Sequence, residues 1–106
     1  MPKYLLEVSY TLDGLRGLRS KGGSARVAAA TALIESAGGR LESFHFAFGG
    51  NDAYVIADMP DNESAAAAAL TVSAGGGATL RTIVLLTPEE VDASVAKKTT
   101  YQPPGD

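Results

Sequence analysis

Residues Lys3–Tyr10 alternate. Tyr4, Leu6, Val8 and Tyr10 fall on one side, and Leu5, Glu7 and Ser9 on the other. A period of two is the signature of a half-buried strand. From Ser24 the pattern changes: Val27, Ala30, Ile34 and Ala37, with Leu33, form a stripe at helical spacing. Ser24 offers a hydroxyl to cap that helix, and Gly38-Gly39 ends it. Two strand-like runs follow, Leu41–Phe48 and Ala53–Met59, joined by a Gly49-Gly50-Asn51-Asp52 turn. In the first run Phe44, Phe46 and Phe48 share one face, opposite Leu41, Ser43, His45 and Ala47. Which of these two faces meets the helices is left open by the alternation.

After Pro60, Asp61 or Asn62 caps an alanine-rich helix that runs to about Ala74. Gly75-Gly76-Gly77 stops it, and Thr79–Leu86 reads as a fourth strand. Thr87, Pro88 and Glu90 then make a capping box with proline at the first helical position, so a short helix is predicted to about Lys97. Between the first strand and Gly23 lies a glycine-rich, basic segment with room for one short helical turn around Leu15 and Leu18. Residues 1–97 therefore form one domain, and residues 98–106 an extended tail.

The order β-α-β-β-α-β, with right-handed crossovers, gives an α+β fold: a ferredoxin-like plait. Its antiparallel sheet is ordered four-one-three-two, with two helices on one face. The other face has no cover. Leu5, Ile56, Val84 and the phenylalanines suggest an apolar sheet on both sides, and a bare apolar face needs a partner. A second copy of the chain is the simplest one, which predicts a homodimer with its sheets packed face to face.

Composition narrows the function classes. The chain has 106 residues, no cysteine, one histidine and a formal net charge of -3. A chain this long removes roughly 65% of its unfolded surface from water, enough for a real core. Without cysteine there is no disulfide, zinc-thiolate site or thiol nucleophile. The acidic balance argues against a nucleic-acid face, although Arg16, Arg19, Lys21 and Arg26 lie close together. No apolar run approaches the ~20 residues of a membrane span, and no secretory signal opens the sequence. A cytoplasmic protein is expected.

Four segments carry a resemblance to a known family: Tyr10-Thr11-Leu12-Asp13-Gly14, Gly38-Gly39-Arg40-Leu41-Glu42-Ser43-Phe44, the turn ending in Asp52, and Leu86-Thr87-Pro88-Glu89-Glu90. In order and spacing the chain resembles the GYD domain family from about Tyr4 to Val95. The resemblance implies a small ferredoxin-like protein of the dimeric α/β barrel type and implies no activity. The family's Gly-Tyr-Asp reads Gly50-Asn51-Asp52 here. Asn51 suits a turn, and Tyr54 restores an aromatic group two residues after Asp52.

His45, Glu7 and Tyr54 are the candidate catalytic residues. Histidine titrates near neutrality. If all three occupy the uncovered face, Tyr54 lies between His45 and Glu7, which are then about 9–10 Å apart, or two strand spacings. Phe44, Phe46, Asp52 and Tyr54 are candidates for ligand contact. Lys21-Gly22-Gly23-Ser24-Ala25-Arg26 could cradle an anion but lacks the P-loop spacing, and an ordinary loop and cap is the better reading. No metal site is expected, because a lone histidine and scattered carboxylates such as Asp52, Asp58, Asp61 and Glu63 do not make one. No cofactor is implied.

Three functions fit. The first is a homodimeric domain that binds a small, partly apolar molecule between paired sheets. The second is a cofactor-independent isomerase or monooxygenase, with His45 as base, Glu7 orienting it and Tyr54 donating to an oxyanion. This rests on analogy of fold, which does not define function. The third is a structural or partner-binding module whose Pro103-Pro104 tail packs across a neighbour.

Overall fold

Residues 1–105 are described by a computed structural model. The chain runs β1 (Lys3–Tyr10), α1 (Leu12–Lys21), α2 (Gly23–Ser36), β2 (Arg40–Phe46), β3 (Ala53–Asp58), α3 (Asn62–Ala74), β4 (Ala78–Leu85) and α4 (Pro88–Val95). The four strands form one antiparallel sheet in the order β2-β3-β1-β4. This is the expected plait, with one helix more than expected.

That helix is α1, which occupies the glycine-rich segment where a single turn was predicted. Gly14 and Gly17 each weaken a helix by about 1 kcal/mol relative to alanine. Docking offsets this. The Thr11 hydroxyl accepts from the Gly14 N–H and donates to the Gly76 carbonyl, while the Thr11 N–H donates to the Gly77 carbonyl. Gly14 is required by contact: a Cβ there would run into the Gly77 carbonyl oxygen. Gly22, at φ 87°, then separates α1 from α2. Its N–H closes α1 on the Leu18 carbonyl, and it stands as the N-cap of α2. Ser24 is therefore inside the first turn and not the cap expected of it.

The core lies between the sheet and the helices. Tyr4, Ala57, Met59, Ile34, Ala65 and Ala68 form one buried group, with Leu6, Leu33 and Ala37 packed against it. Val8, Ala53, Val55 and Ala78 form a second, flanked by Phe44, Phe46, Leu41 and Val72 among others. The alanines of α3 let that helix sit close to the sheet. Phe44 and Phe46 thus face the helices. They are not walls of the open face, and their rings lie 4.9 Å apart, tilted.

Leu41 sits with the phenylalanines and not with Ser43 and His45, as simple alternation predicted. The cause is a β-bulge. Leu41 pairs with Ala57 and Ser43 with Ile56, so Glu42 is the extra residue and the parity of the strand changes there. Phe48 also leaves the predicted strand, which ends at Phe46. Phe48 has φ 55°, is exposed, and stacks on Phe46 at 5.8 Å.

The C-terminal arm stands apart. No residue of α4 is buried, and Leu86, Val91, Val95 and Tyr101 are exposed. The radius of gyration is 16.8 Å, against about 13 Å for a compact domain of this length. Val84 pairs with Tyr4 and so lies on the helix side, yet it is 55% exposed because no helix reaches it. It is not part of the open face, as the sequence had suggested.

Candidate functional site

The register defines the open face row by row. His45, Tyr54, Glu7 and Arg81 line up across β2, β3, β1 and β4. Ser43, Ile56, Leu5 and Ile83 form the next row. Beyond them lie Asp58 and Lys3, with Arg40 and Leu85 outside. The face is therefore an apolar stripe between two polar ends.

One polar end is a closed ion network. Asp58 accepts from Lys3 Nζ at 2.9 Å and from Arg40 at 3.0 Å, and Lys3 also reaches Glu42 Oε1 at 2.6 Å. The hydrogen bond from Lys3, then that from Arg40, hold the Asp58 carboxyl below the ordinary aspartate range. The bulge aims Glu42 at Lys3. Each of the four groups has a partner in the chain Glu42–Lys3–Asp58–Arg40, which is the mark of a structural clasp.

The other end is built around Asn51. Its Nδ2 donates to Glu7 Oε2 at 2.9 Å and to the Tyr54 hydroxyl at 3.4 Å. Its Oδ1 accepts from Ser9 Oγ at 3.3 Å. The amide orientation follows from chemistry, since a carboxylate only accepts. Tyr54 uses its oxygen as acceptor here, and among the described residues its O–H and the second oxygen of Glu7 have no hydrogen-bond partner. Arg81 and His45 flank the cluster at the ends of the row.

The loop that carries Asn51 is held firmly. Asp52 accepts the Tyr10 N–H at 2.8 Å through its carboxylate, and its own N–H donates to the Val8 carbonyl at 2.8 Å. Asp52 pins the loop to β1 through its Oδ2 and its N–H, which presents Asn51 over Glu7.

The candidates from sequence fall in two places. Glu7 and Tyr54 are cross-strand neighbours linked by Asn51. His45 neighbours Tyr54, stands two strands from Glu7 and is exposed. Glu7 is therefore out of hydrogen-bond reach of His45 within the chain. Phe44 and Phe46 lie on the opposite face, where Phe44 lines a cleft between α2 and α3. Asn51, Ser9 and Arg81 were not singled out from sequence as site residues. Strand parity alone would have placed Ser9 and Arg81 beside Glu7, whereas Asn51 depends on the loop's path.

Among the described residues, no group of three or more His, Asp or Glu comes together as a metal site. Among them, too, no helix is long and apolar enough to cross a membrane.

An antiparallel plait with an uncovered sheet face and a polar cluster at one end of it defines a small α+β domain class. The sequence model of the GYD domain matches residues 4–95, and the chain belongs to the GYD domain family. No curated protein matches it.

Proposed function

We propose that the protein is a homodimeric binding domain. Two open faces pair and enclose the Glu7–Asn51–Tyr54 cluster as the polar part of a site for a small, partly apolar molecule. The observation that carries this reading is the cluster's unsatisfied capacity. Among the described residues the Tyr54 O–H and the second Glu7 oxygen have no hydrogen-bond partner, and they lie in the row beside the apolar stripe of Leu5, Ile56 and Ile83. Tyr54 offers a donor, Glu7 an acceptor and Arg81 a cation to one ligand, while the stripe receives its apolar part.

Area supports the dimer. Four strands about 4.8 Å apart, each with about seven paired residues at 3.3 Å, make a face of about 450 Å² in plan. A stable interface needs about 800 Å² per partner. The sheet supplies about half, and the exposed Leu86, Val91, Val95 and Tyr101 of the C-terminal arm are suited to supply the rest by lying across the partner.

Native mass spectrometry of gently purified protein tests the binding reading. The expected result is a dimer that carries a reproducible added mass, which is lost in Glu7→Ala and Asn51→Ala dimers. A bare wild-type dimer, or an added mass that both variants retain, would contradict it.

A further inference from the structure

The helix side of the sheet carries a second opening, remote from the Glu7 cluster. Between α2 and α3 a cleft of about 340 Å³ reaches down to β1, β3 and β4. Native interiors have few voids larger than a water molecule, whereas small-molecule sites begin at about 300 Å³. The cleft is a consequence of sequence. α2 lies over β2 and α3 over β4, and the residues that face the gap between them include small ones, Ala30, Gly75 and Gly77. Its deeper walls are apolar, formed by Leu33, Phe44, Val72 and Leu80 among others.

Three polar side chains line the cleft. The Thr71 hydroxyl is engaged, donating to the Ala67 carbonyl at 2.8 Å. Arg26 is different. Among the described residues the ion pairs join Lys3 to Glu42 and Asp58, and Arg40 to Asp58, which leaves the Arg26 guanidinium without a carboxylate. Tyr10 lies close enough to feel the opposite charges of Arg26 and Asp52. Burial raises its pKa above the ordinary tyrosine value, so its hydroxyl keeps its proton and donates. Among the described residues that hydroxyl has no hydrogen-bond partner, since the Tyr10 bond to Asp52 is made by the backbone N–H.

We propose that this cleft binds a small amphipathic carboxylate, with the carboxylate on Arg26 and Tyr10 and the apolar body among Leu33, Phe44, Val72 and Leu80. The unpaired cation selects an anion. One planar guanidinium with one hydroxyl matches the geometry and single charge of a carboxylate, whereas a phosphate dianion calls for more positive charge. The apolar walls demand a hydrocarbon or aryl body. The site is complete within one chain and does not depend on pairing of the open faces.

Decanoate is a suitable probe, titrated into the full-length protein and followed by amide NMR shifts. Saturable shifts confined to the cleft lining, on α2, α3 and the inward-facing residues of β1, β3, β4 and Phe44 of β2, are expected. Arg26→Gln should weaken binding by about tenfold or more, the cost of losing a charge-assisted hydrogen bond. Ala30→Phe, which fills the cleft, should abolish binding while far-UV circular dichroism stays native. If Ala30→Phe does not fold, Arg26→Gln decides alone. The amides of Asn51 and Ile83 on the open side should not shift, which separates this site from the open-face cluster. Absence of saturable shifts up to millimolar decanoate, or wild-type affinity in Arg26→Gln, would overturn the proposal.

Discussion

Asp58 illustrates how single residues set the behaviour of the open face. Its carboxylate sits between Lys3 and Arg40, and its pKa in the folded chain is lowered by both. A lowered folded pKa means that the stabilisation is complete above the ordinary aspartate range and is lost as pH falls through it. Lys3 is shifted upward, chiefly by its hydrogen bond to Glu42, so its share is lost only as pH rises through the lysine range. Asp58→Asn should therefore lower Tm at pH 7. The loss should be about 1 kcal/mol or less, because solvent reaches Lys3 and Arg40 and screens the pair. The gap to wild type should begin to narrow near the ordinary aspartate pKa, about 4, and close only as pH falls through the lowered folded value. Thermal melts across this range check this, and a gap of constant size would contradict it. At this scale sequence and structure agree only in part. Glu7 and Tyr54 were visible as neighbours from parity, because a strand's period of two is rigid. Leu41 was not placed correctly, because the Glu42 bulge inverts parity and leaves no local mark beyond one more polar residue.

At the scale of elements, the strands and the helices α2, α3 and α4 could be read from periodicity and caps. Asp61 accepts from the Ser64 N–H as its position suggested, and the Thr87–Glu90 capping box is closed on both sides. α1 was under-read because its stability lies in tertiary contact. Its glycines argue against a helix, and only the folded chain brings Gly14 onto Gly77. α4 is the opposite case, with strong local signals and no burial. A helix of 8 residues is well short of the length that holds alone in water, about 12–15 residues. Thr87→Ala removes a cap contribution of about 1 kcal/mol. It should erase amide protection in α4 and, because the proposed pairing lays the arm across the partner, shift the dimer toward monomer at micromolar concentration, while each chain keeps its native far-UV circular dichroism because α4 buries nothing within it. Hydrogen exchange followed by NMR measures the first and light scattering the second. A dimer unaffected by Thr87→Ala would contradict the arm's part in the interface.

At the scale of the whole molecule, the two faces of one sheet differ in what they carry. The helix side holds the core and the apolar cleft. That cleft was illegible in the sequence, because it arises from the spacing of two helices and not from any run of residues. The open side holds the Asn51 cluster, the apolar stripe and the ion clasp, and a C-terminal arm projects beyond it. The proposed pairing of open faces would unite these features: it would cover Leu5, Ile56 and Ile83, give the arm a surface, and turn a shallow cluster into an enclosed one. The family relation covers residues 4–95, so both faces of the sheet and α4 belong to the common domain.

Size-exclusion chromatography with light scattering at micromolar concentration tests this pairing most directly, with Ile83→Lys run beside the wild type. The chain mass is 10.9 kDa. The wild type should elute at twice that mass. Ile83→Lys, which places a charge at the β4 end of the apolar row, should elute as a folded monomer. A wild-type particle of 10.9 kDa, or a dimer indifferent to Ile83→Lys, would contradict the pairing of the open faces.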